Sequence, residues 1–375
     1  MKHLTEYRNP VLVYQYLEEL HRITTKAWTL MEICGGQTHS LVKNGILDML
    51  PSAITMVHGP GCPVCVTPIS IIDEAIYLAK LPGVILCSFG DMLRVPGSKT
   101  SLLETKARGG DVRILYSPLE AVQLAVENPG KQVVFFAVGF ETTAPANALS
   151  VIHAHKRHLS NYSILTSHVL VPPAMEAILK DDESRIDAFL AAGHVCAIMG
   201  MEEYYPIVDR YKIPVVITGF EPVDLLQGIL MAVLQLENGQ HLLQNQYARA
   251  VNRNGNPMAL ETIHEVFEVS DRTWRGIGNI PSSGYEVSEY YKQYNARTKF
   301  QLSVPFVPEN GQCISGAIMK GLQKPVQCLY FGNQCTPENP LGAPMVSSEG
   351  ACAAYYHYSS SSINNNDHKV ISNSK

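Results

Sequence analysis

Long apolar runs are missing from this chain of 375 residues: stretches such as VVFFAV fall far short of the roughly 20 residues that a membrane-spanning helix needs. Charge is also scarce. Charged residues make up 17% and the net charge is −5, which leaves no electrostatic case for nucleic acid as a partner. Neither GxGxxG after a strand nor GxxxxGK[ST] occurs, so the usual phosphate-cradling loops are absent and nucleotide binding is disfavoured. MKHLTEYRNP has no apolar h-region of a secretory signal, so a cytoplasmic location is expected. Nine cysteines is an odd number, and in a chain without an export signal it argues against a full disulfide framework and for metal or redox chemistry.

What is present is an α/β pattern long enough for two or three domains with a large core. Short apolar strands alternate with amphipathic helices from about residue 28 to 238: WTLMEI, AITMV, GVILCSF, VRILYS, VVFFAVGF, YSILTS, HVCAIMG and PVVITGF. Helices are expected at 68–80, 117–127, 142–157, 172–190 and 222–237. This alternation predicts parallel sheets covered on both faces. Beyond 238 a linker (ENGQHLLQNQ, NRNGNP) leads to helices and then to a Gly-, Pro- and Cys-rich segment from 300 to 358. The polar tail 359–375 is expected to be disordered. CSFGD, VGFET and TGFEP echo one another, each an apolar strand ending in Phe and an acid. Asp91, Glu141 and Glu221 are therefore candidate polar groups in a cleft at strand carboxyl ends, or else helix caps.

Cys87 and Cys196 sit inside apolar runs and read as packing residues. The other seven lie near Gly or Pro. HGPGCPVC places Cys62 and Cys65 three apart, with Thr67-Pro68 expected to start a helix as N-cap and first helical residue. A zinc knuckle, a redox dithiol and a structural disulfide all use such a pair. Cys313, Cys328, Cys335 and Cys352 follow C-x14-C-x6-C-x16-C on a loop-rich segment with no histidine at finger spacing. Tetrahedral zinc and a [4Fe–4S] cluster would each bring four such thiols together. The nearby glycines, including Gly311, Gly316 and Gly342, let backbone N–H groups approach and compensate a thiolate-held cluster, which favours iron–sulfur. Cys34 follows the strand WTLMEI directly and precedes Gly35-Gly36, which would leave room beside its sulfur; His39 could bond a ligand or move a proton. The plain alternative is a buried cysteine at a strand end with Thr38 capping a helix. His58, His168 and His194 are weaker candidates.

The motifs MEICGGQTH (31–39), HGPGCPVC (58–65), GDMLRVPG (90–97), VGFETTAP (138–145), TGFEPVDLLQGI (218–229), WRGIGNIPSSG (274–284) and GAPMVSSEGACAAYY (342–356) together resemble the HypD family of [NiFe]-hydrogenase maturation factors, over the whole chain except its tail. The resemblance implies two related, Rossmann-like α/β domains with a cleft, at 28–145 and 146–240. A loop- and helix-rich [4Fe–4S] domain would be built from 1–27 and 241–358. It implies a maturation scaffold with redox activity rather than a conventional turnover enzyme. With a small HypC-like partner, such a scaffold assembles iron carrying cyanide and CO, Fe(CN)2CO. A HypE-like protein donates cyanide, and the HypC-like partner leads to the hydrogenase large-subunit precursor. Cys34 falls on the cysteine that binds the iron under assembly, and Cys313, Cys328, Cys335 and Cys352 on the [4Fe–4S] ligands. For Cys62–Cys65 the redox reading is then the best fit. No second CxxC completes a knuckle, and so small a disulfide loop adds only about 2 kcal/mol of stability in a reducing compartment. The competing readings are an Fe–S-dependent thiol–disulfide oxidoreductase acting on a protein through Cys62–Cys65, and a structural zinc protein.

Overall fold

A computed structural model describes residues 6–303 and 311–359 of the chain. Among these residues the strands are Trp28–Glu32 (β1), Ile54–His58 (β2), Val84–Ser88 (β3), Val112–Ile114 (β4), Gln132–Gly139 (β5), Tyr162–Val169 (β6), Ala188–Ala192 (β7), Val215–Thr218 (β8), Leu243–Asn245 (β9), Phe267–Trp274 (β10) and Gly278–Val287 (β11). They divide between two units. The first takes in the chain up to Cys62, Met175–Gly255 and everything from Gln312; the second takes Pro63–Ala174 and Asn256–Gly311.

The first unit holds a five-stranded sheet in the order β2-β1-β7-β8-β9, every pair parallel. Its central strands are apolar along their length because helices cover both faces: every residue of β7 (AFLAA) and β8 (VVIT) is buried. The helix Pro10–Ile23, capped by the Asn9 side chain, turns Leu17 and Leu20 onto Leu30, Leu190 and Val216 of the sheet, together with Leu225, Leu226 and Ile229 of the helix Pro222–Glu237. Their periodic apolar stripes account for that packing.

The second unit holds a six-stranded sheet, β10-β11-β6-β5-β3-β4. The β6-β5-β3-β4 part is parallel, while β11 joins β6 antiparallel and β10 closes a hairpin on β11. The fold is thus α/β with two sheets dominated by parallel pairing. Among the described residues no helix is long and apolar enough to cross a membrane.

Several sequence expectations are corrected. The helix expected at 172–190 ends at Leu179, and the strand falls on Ala188–Ala192, so HVCAIM lies in a helix, Gly193–Met199. Residues 186–200 are apolar almost throughout, and pairing of 188–192 with β1 and β8 decides which part extends. The segment after 238 is more than linker and helices: it contributes β9 and the β10–β11 hairpin. The polar, mostly exposed face of β10 hides a strand period. The domains drawn as consecutive blocks, 28–145 and 146–240, differ from the units, because β1 pairs with β7 far along the chain. The cysteine-rich segment from Gln312 belongs to the first unit. Of the tail expected to be disordered, residues 360–375 lie outside the described residues.

Candidate functional site

Ligand sites in parallel sheets form beyond the carboxyl ends of the strands, where loops diverge. At that edge of the first sheet, β1 runs into Ile33 and Cys34, β2 into His58 and Gly59–Cys62, β7 into Gly193 and His194, and β8 into Gly219 and Phe220. Ile33 still pairs with β7 by donating its N–H to the Leu190 carbonyl at 3.2 Å. Cys34, in extended conformation, is then the N-cap of the helix Gly35–Lys43.

Three segments meet around that residue, which is why glycine stands there. A Cβ on Gly61 would lie 2.4 Å from both N and Cα of Cys34, and one on Gly35 would lie 2.2 Å from the Glu349 carbonyl oxygen. The Gly35 N–H donates to the Gly61 carbonyl at 2.9 Å and fixes the approach. The room expected beside Cys34 is therefore filled at Gly35 by the chain at Glu349, and Gly36 faces the Phe220 ring.

Cys34 is buried, and its Sγ lies 3.4 Å from Nε2 of His194. The His194 ring packs on Phe220, with centroids 5.0 Å apart. Burial pushes His194 down to about 4, so the ring is neutral at pH 7. Burial first, then the carboxylates of Glu349 and Glu32, push the Cys34 thiol far up, against the backbone N–H groups of Gly36 and Gln37. At rest the pair is a thiol beside a neutral imidazole. A cation reaching it would meet an anionic surrounding and could take the proton's place on sulfur. His39 is turned elsewhere: its Nδ1 donates to the Ser348 carbonyl at 3.2 Å, and its ring meets Tyr358 edge-on.

Cys62 follows Gly61 directly and forms a disulfide with Cys65. Both are buried. Cys65 lies inside a one-turn helix, Pro63–Val66, rather than ahead of one. The Thr67 hydroxyl donates back to the Pro63 carbonyl at 2.9 Å, so it caps nothing downstream, and Pro68 is the N-cap of the helix Ile69–Lys80. The helix start expected at Thr67-Pro68 is corrected accordingly.

Cys313, Cys328, Cys335 and Cys352 line one hollow of the first unit. Cys313 precedes the helix Ser315–Met319, Cys328 ends the turn Pro325–Gln327, and Cys352 opens the helix Ala351–Tyr358. A Cβ on Gly342 would reach within 2.3 Å of the Cys313 sulfur, and the Leu341 N–H points at the Cys335 sulfur at 3.4 Å. Burial pushes Cys335 and Cys352 up, and the neighbouring cysteines add to it, so a positive group among them is what would hold these sulfurs as thiolates. Among the described residues no three His, Cys, Asp or Glu side chains close on one point as ligands of a single ion do. Four cysteine thiols lining one hollow are the donor set that a [4Fe–4S] cluster uses, so the residues present fit such a group.

The three strand-end acids do not share a sheet. Asp91 lies in the 3-10 turn Gly90–Arg94 of the second unit and pairs with Arg94 at 3.5 Å. Glu141, also in the second unit, is buried and accepts from the Val171 N–H at 2.8 Å. Glu221, in the first, is the N-cap of Pro222–Glu237 in a capping box with Asp224, and it binds Arg8. Cys87 and Cys196 are fully buried packing residues, and His168 is buried against Asn147. Sequence reasoning missed Glu32 and Glu349 and ranked His194 low. Their one available signal is placement at or beyond an apolar strand end or next to a cysteine motif.

The sequence profile of the HypD family, described as "Hydrogenase formation hypA family", matches residues 11–359. Hydrogenase maturation factor HypD2 of Bradyrhizobium diazoefficiens is 46% identical over 365 residues, covering 95% of this chain and 96% of that protein. Hydrogenase maturation factor HypD of Rhodobacter capsulatus is 45% identical over 367 residues, covering 95% and 97%. That of Escherichia coli is 43% identical over 363 residues, again covering 95% and 97%. With a profile spanning nearly all of its length and relatives of this closeness, the chain belongs to the HypD family.

Proposed function

We propose that this protein acts in hydrogenase maturation as a cytoplasmic scaffold. With a small HypC-like partner it would hold iron while the Fe(CN)2CO unit of a [NiFe]-hydrogenase is assembled. Cyanide would come from a HypE-like donor, and the finished unit would leave through the HypC-like partner to the hydrogenase large-subunit precursor. The observation that carries the reading is the convergence of Cys313, Cys328, Cys335 and Cys352, spread over 40 residues, on one hollow in the unit that also carries Cys34.

Each group then has a role. Cys34 is the sulfur donor to the iron under assembly. The carboxylates of Glu32 and Glu349 oppose a bare thiolate but favour a cation there, which would take the proton's place on sulfur, with the His194 ring at 3.4 Å as the group that would accept that proton. The four cysteines would hold a [4Fe–4S] cluster, which supplies single electrons. Cys62 and Cys65 alternate between two thiols and the disulfide, taking up or releasing two electrons and two protons. Their burial keeps bulk thiols such as glutathione from exchanging with the pair freely.

The test is anaerobic co-expression with a HypC-like protein, followed by iron and sulfide analysis and infrared spectroscopy. The complex should carry cluster iron together with bands of metal-bound CO and cyanide. Cys34→Ala should lose the bands and keep the iron–sulfur colour, and Cys328→Ala should lose the colour. Bands at full intensity in Cys34→Ala, or full iron and sulfide in Cys328→Ala, would overturn the assignment. The Cys62–Cys65 pair also suits an Fe–S-dependent thiol–disulfide oxidoreductase acting on a protein substrate; that reading predicts turnover on a protein disulfide and no stable complex.

A further inference from the structure

The first unit contains a buried polar chain of which the scaffold reading uses only the charge of Glu32. Glu32, the last residue of β1, is fully buried, and His58, the last residue of β2, is 2% exposed beside it. His58 Nδ1 lies 2.7 Å from Glu32 Oε1, and His58 Nε2 lies 2.9 Å from the Tyr355 hydroxyl. The same carboxylate accepts the Thr38 hydroxyl, and its other oxygen accepts the Cys34 N–H at 2.9 Å.

The acceptor sets the direction of the chain. The Glu32 carboxylate accepts on both oxygens, from the Thr38 hydroxyl and the Cys34 N–H, so His58 Nδ1 donates to it; with the imidazole hydrogen there, Nε2 accepts from the Tyr355 hydroxyl. Tyr355 and Cys352 sit one turn apart on the helix Ala351–Tyr358, which packs on the helix Gly35–Lys43 that Cys34 caps. A displacement of that C-terminal helix moves the phenol, and the phenol is linked through two buried groups, His58 and Glu32, to the Cys34 backbone.

We propose that Tyr355, His58 and Glu32 are positioning residues that lock the Cys34 loop to the helix bearing Cys352, so that order at the four-cysteine hollow sets order at Cys34. The hydrogen bonds carry the coupling itself; its meaning for assembly rests on the reading of both places as metal-binding cysteines. A scaffold built this way presents Cys34 in its working geometry only when the C-terminal segment is seated.

Cys34 is buried, so its alkylation requires the loop to open, and the alkylation rate reports the open fraction. The experiment follows alkylation of Cys34 by mass spectrometry in the full chain, together with amide exchange of residues 34–38. It compares the unchanged protein, Tyr355→Phe, His58→Gln and the double variant. Tyr355→Phe keeps the buried ring and removes one donor; it should raise the Cys34 rate about tenfold. His58→Gln should raise it at least as much. The double variant should be no faster than His58→Gln alone, because both substitutions cut the same chain. An unchanged Cys34 rate in Tyr355→Phe overturns the proposal, and so do effects that multiply in the double variant. A rise that extends equally to β8 would mark general loosening of the unit and would also overturn it. If His58→Gln does not fold, exchange at residues 34–38 in Tyr355→Phe decides alone. Iron content is measured on the same samples: a chain that takes up no iron refutes the four-cysteine reading and leaves the relay's outcome to be read from Cys34.

Discussion

Acid should weaken the second unit through one histidine, and the structure gives the size of the effect. His168, near the end of β6, is fully buried, and burial, helped by the charge of Arg272 and opposed by Glu286, pushes it down to about 3. Hydrogen bonding explains why it resists protonation. The Asn147 side-chain amide donates to the Thr143 carbonyl at 3.0 Å and to His168 Nε2 at 2.9 Å, so the ring must accept there. A proton on Nε2 would face an N–H group, and turning the amide over would give up the bond to Thr143. Since the folded value lies below the ordinary 6.5, the folded state binds fewer protons than the unfolded chain between pH 6.5 and 3. The stabilisation is complete above pH 6.5 and drains away as pH falls through that window. At pH 5 the loss from this residue is about 2 kcal/mol. The two tryptophans make the assay direct: Trp28 lies in the first unit and Trp274 in the second, so Trp28→Phe leaves Trp274 as the reporter. Urea unfolding at pH 7, 6 and 5 should show a stability loss that His168→Gln, which can still accept from Asn147, reduces by about 2 kcal/mol. Parallel pH curves for the two proteins would refute the reasoning.

Two further expectations concern the first unit and the turn beside Cys34. Gly61→Ala pushes a methyl group into the backbone of Ile33 and Cys34, where no flexible side chain can yield, and strains the Gly35–Gly61 hydrogen bond. It should cost about 3 kcal/mol, whereas Gly130→Ala, with nothing within 4 Å, should cost none; equal melting temperatures for the two variants would contradict this. Arg249 holds the buried carboxylate of Asp224 with two N–H groups at 2.8 and 2.6 Å, while its guanidinium lies over Tyr7 at 3.6 Å and Tyr247 at 4.3 Å. Arg249→Ala leaves that charge buried and should destabilise the unit by about 3 kcal/mol. Lys at 249 should recover less than half, because it lacks the planar fork, and a loss under about 0.5 kcal/mol in chemical unfolding of the Ala variant would refute the argument.

Much of the architecture is legible in the chain because strand and helix periods differ and the alternation is regular. The helix expected at 222–237 falls on Pro222–Glu237, where a proline start and an acidic cap mark the boundary. Legibility fails where local signals agree with two structures. AFLAAGHVCAIM is apolar enough to extend or to coil, and only the neighbours β1 and β8 choose the strand. It also fails at the sheet edge, where β10 alternates too weakly to show a strand. Neither does the order of strands follow from their sequence order, since β1 finds β7 across more than a hundred residues of the second unit.

The site divides along the same physical line. Cysteines are rare and reactive, so spacing marks Cys62–Cys65 and the four C-terminal residues, and a strand end followed by Gly35-Gly36 marks Cys34. A buried acid or imidazole has no such signature. Its role lies in which strand end it occupies, and each strand contributes one residue: Glu32 from β1, His58 from β2, His194 just beyond β7. The pairs Glu32–His58, Cys34–His194 and His58–Tyr355 stand 26, 160 and 297 positions apart, so only the bonds of Glu32 to Cys34 and Thr38 fall within one short window. The useful rule is geometric: in a parallel sheet, polar residues at adjacent strand ends share one edge wherever they lie in sequence. Applied to the first sheet, that rule groups Cys34 with His194 and Glu32 with His58, and it places the disulfide turn directly after the residue that packs on Cys34. Thiol chemistry here is therefore set by residues that carry no motif of their own, and substitution of Glu32, His58 or His194 should change how Cys34 behaves while leaving every cysteine in place.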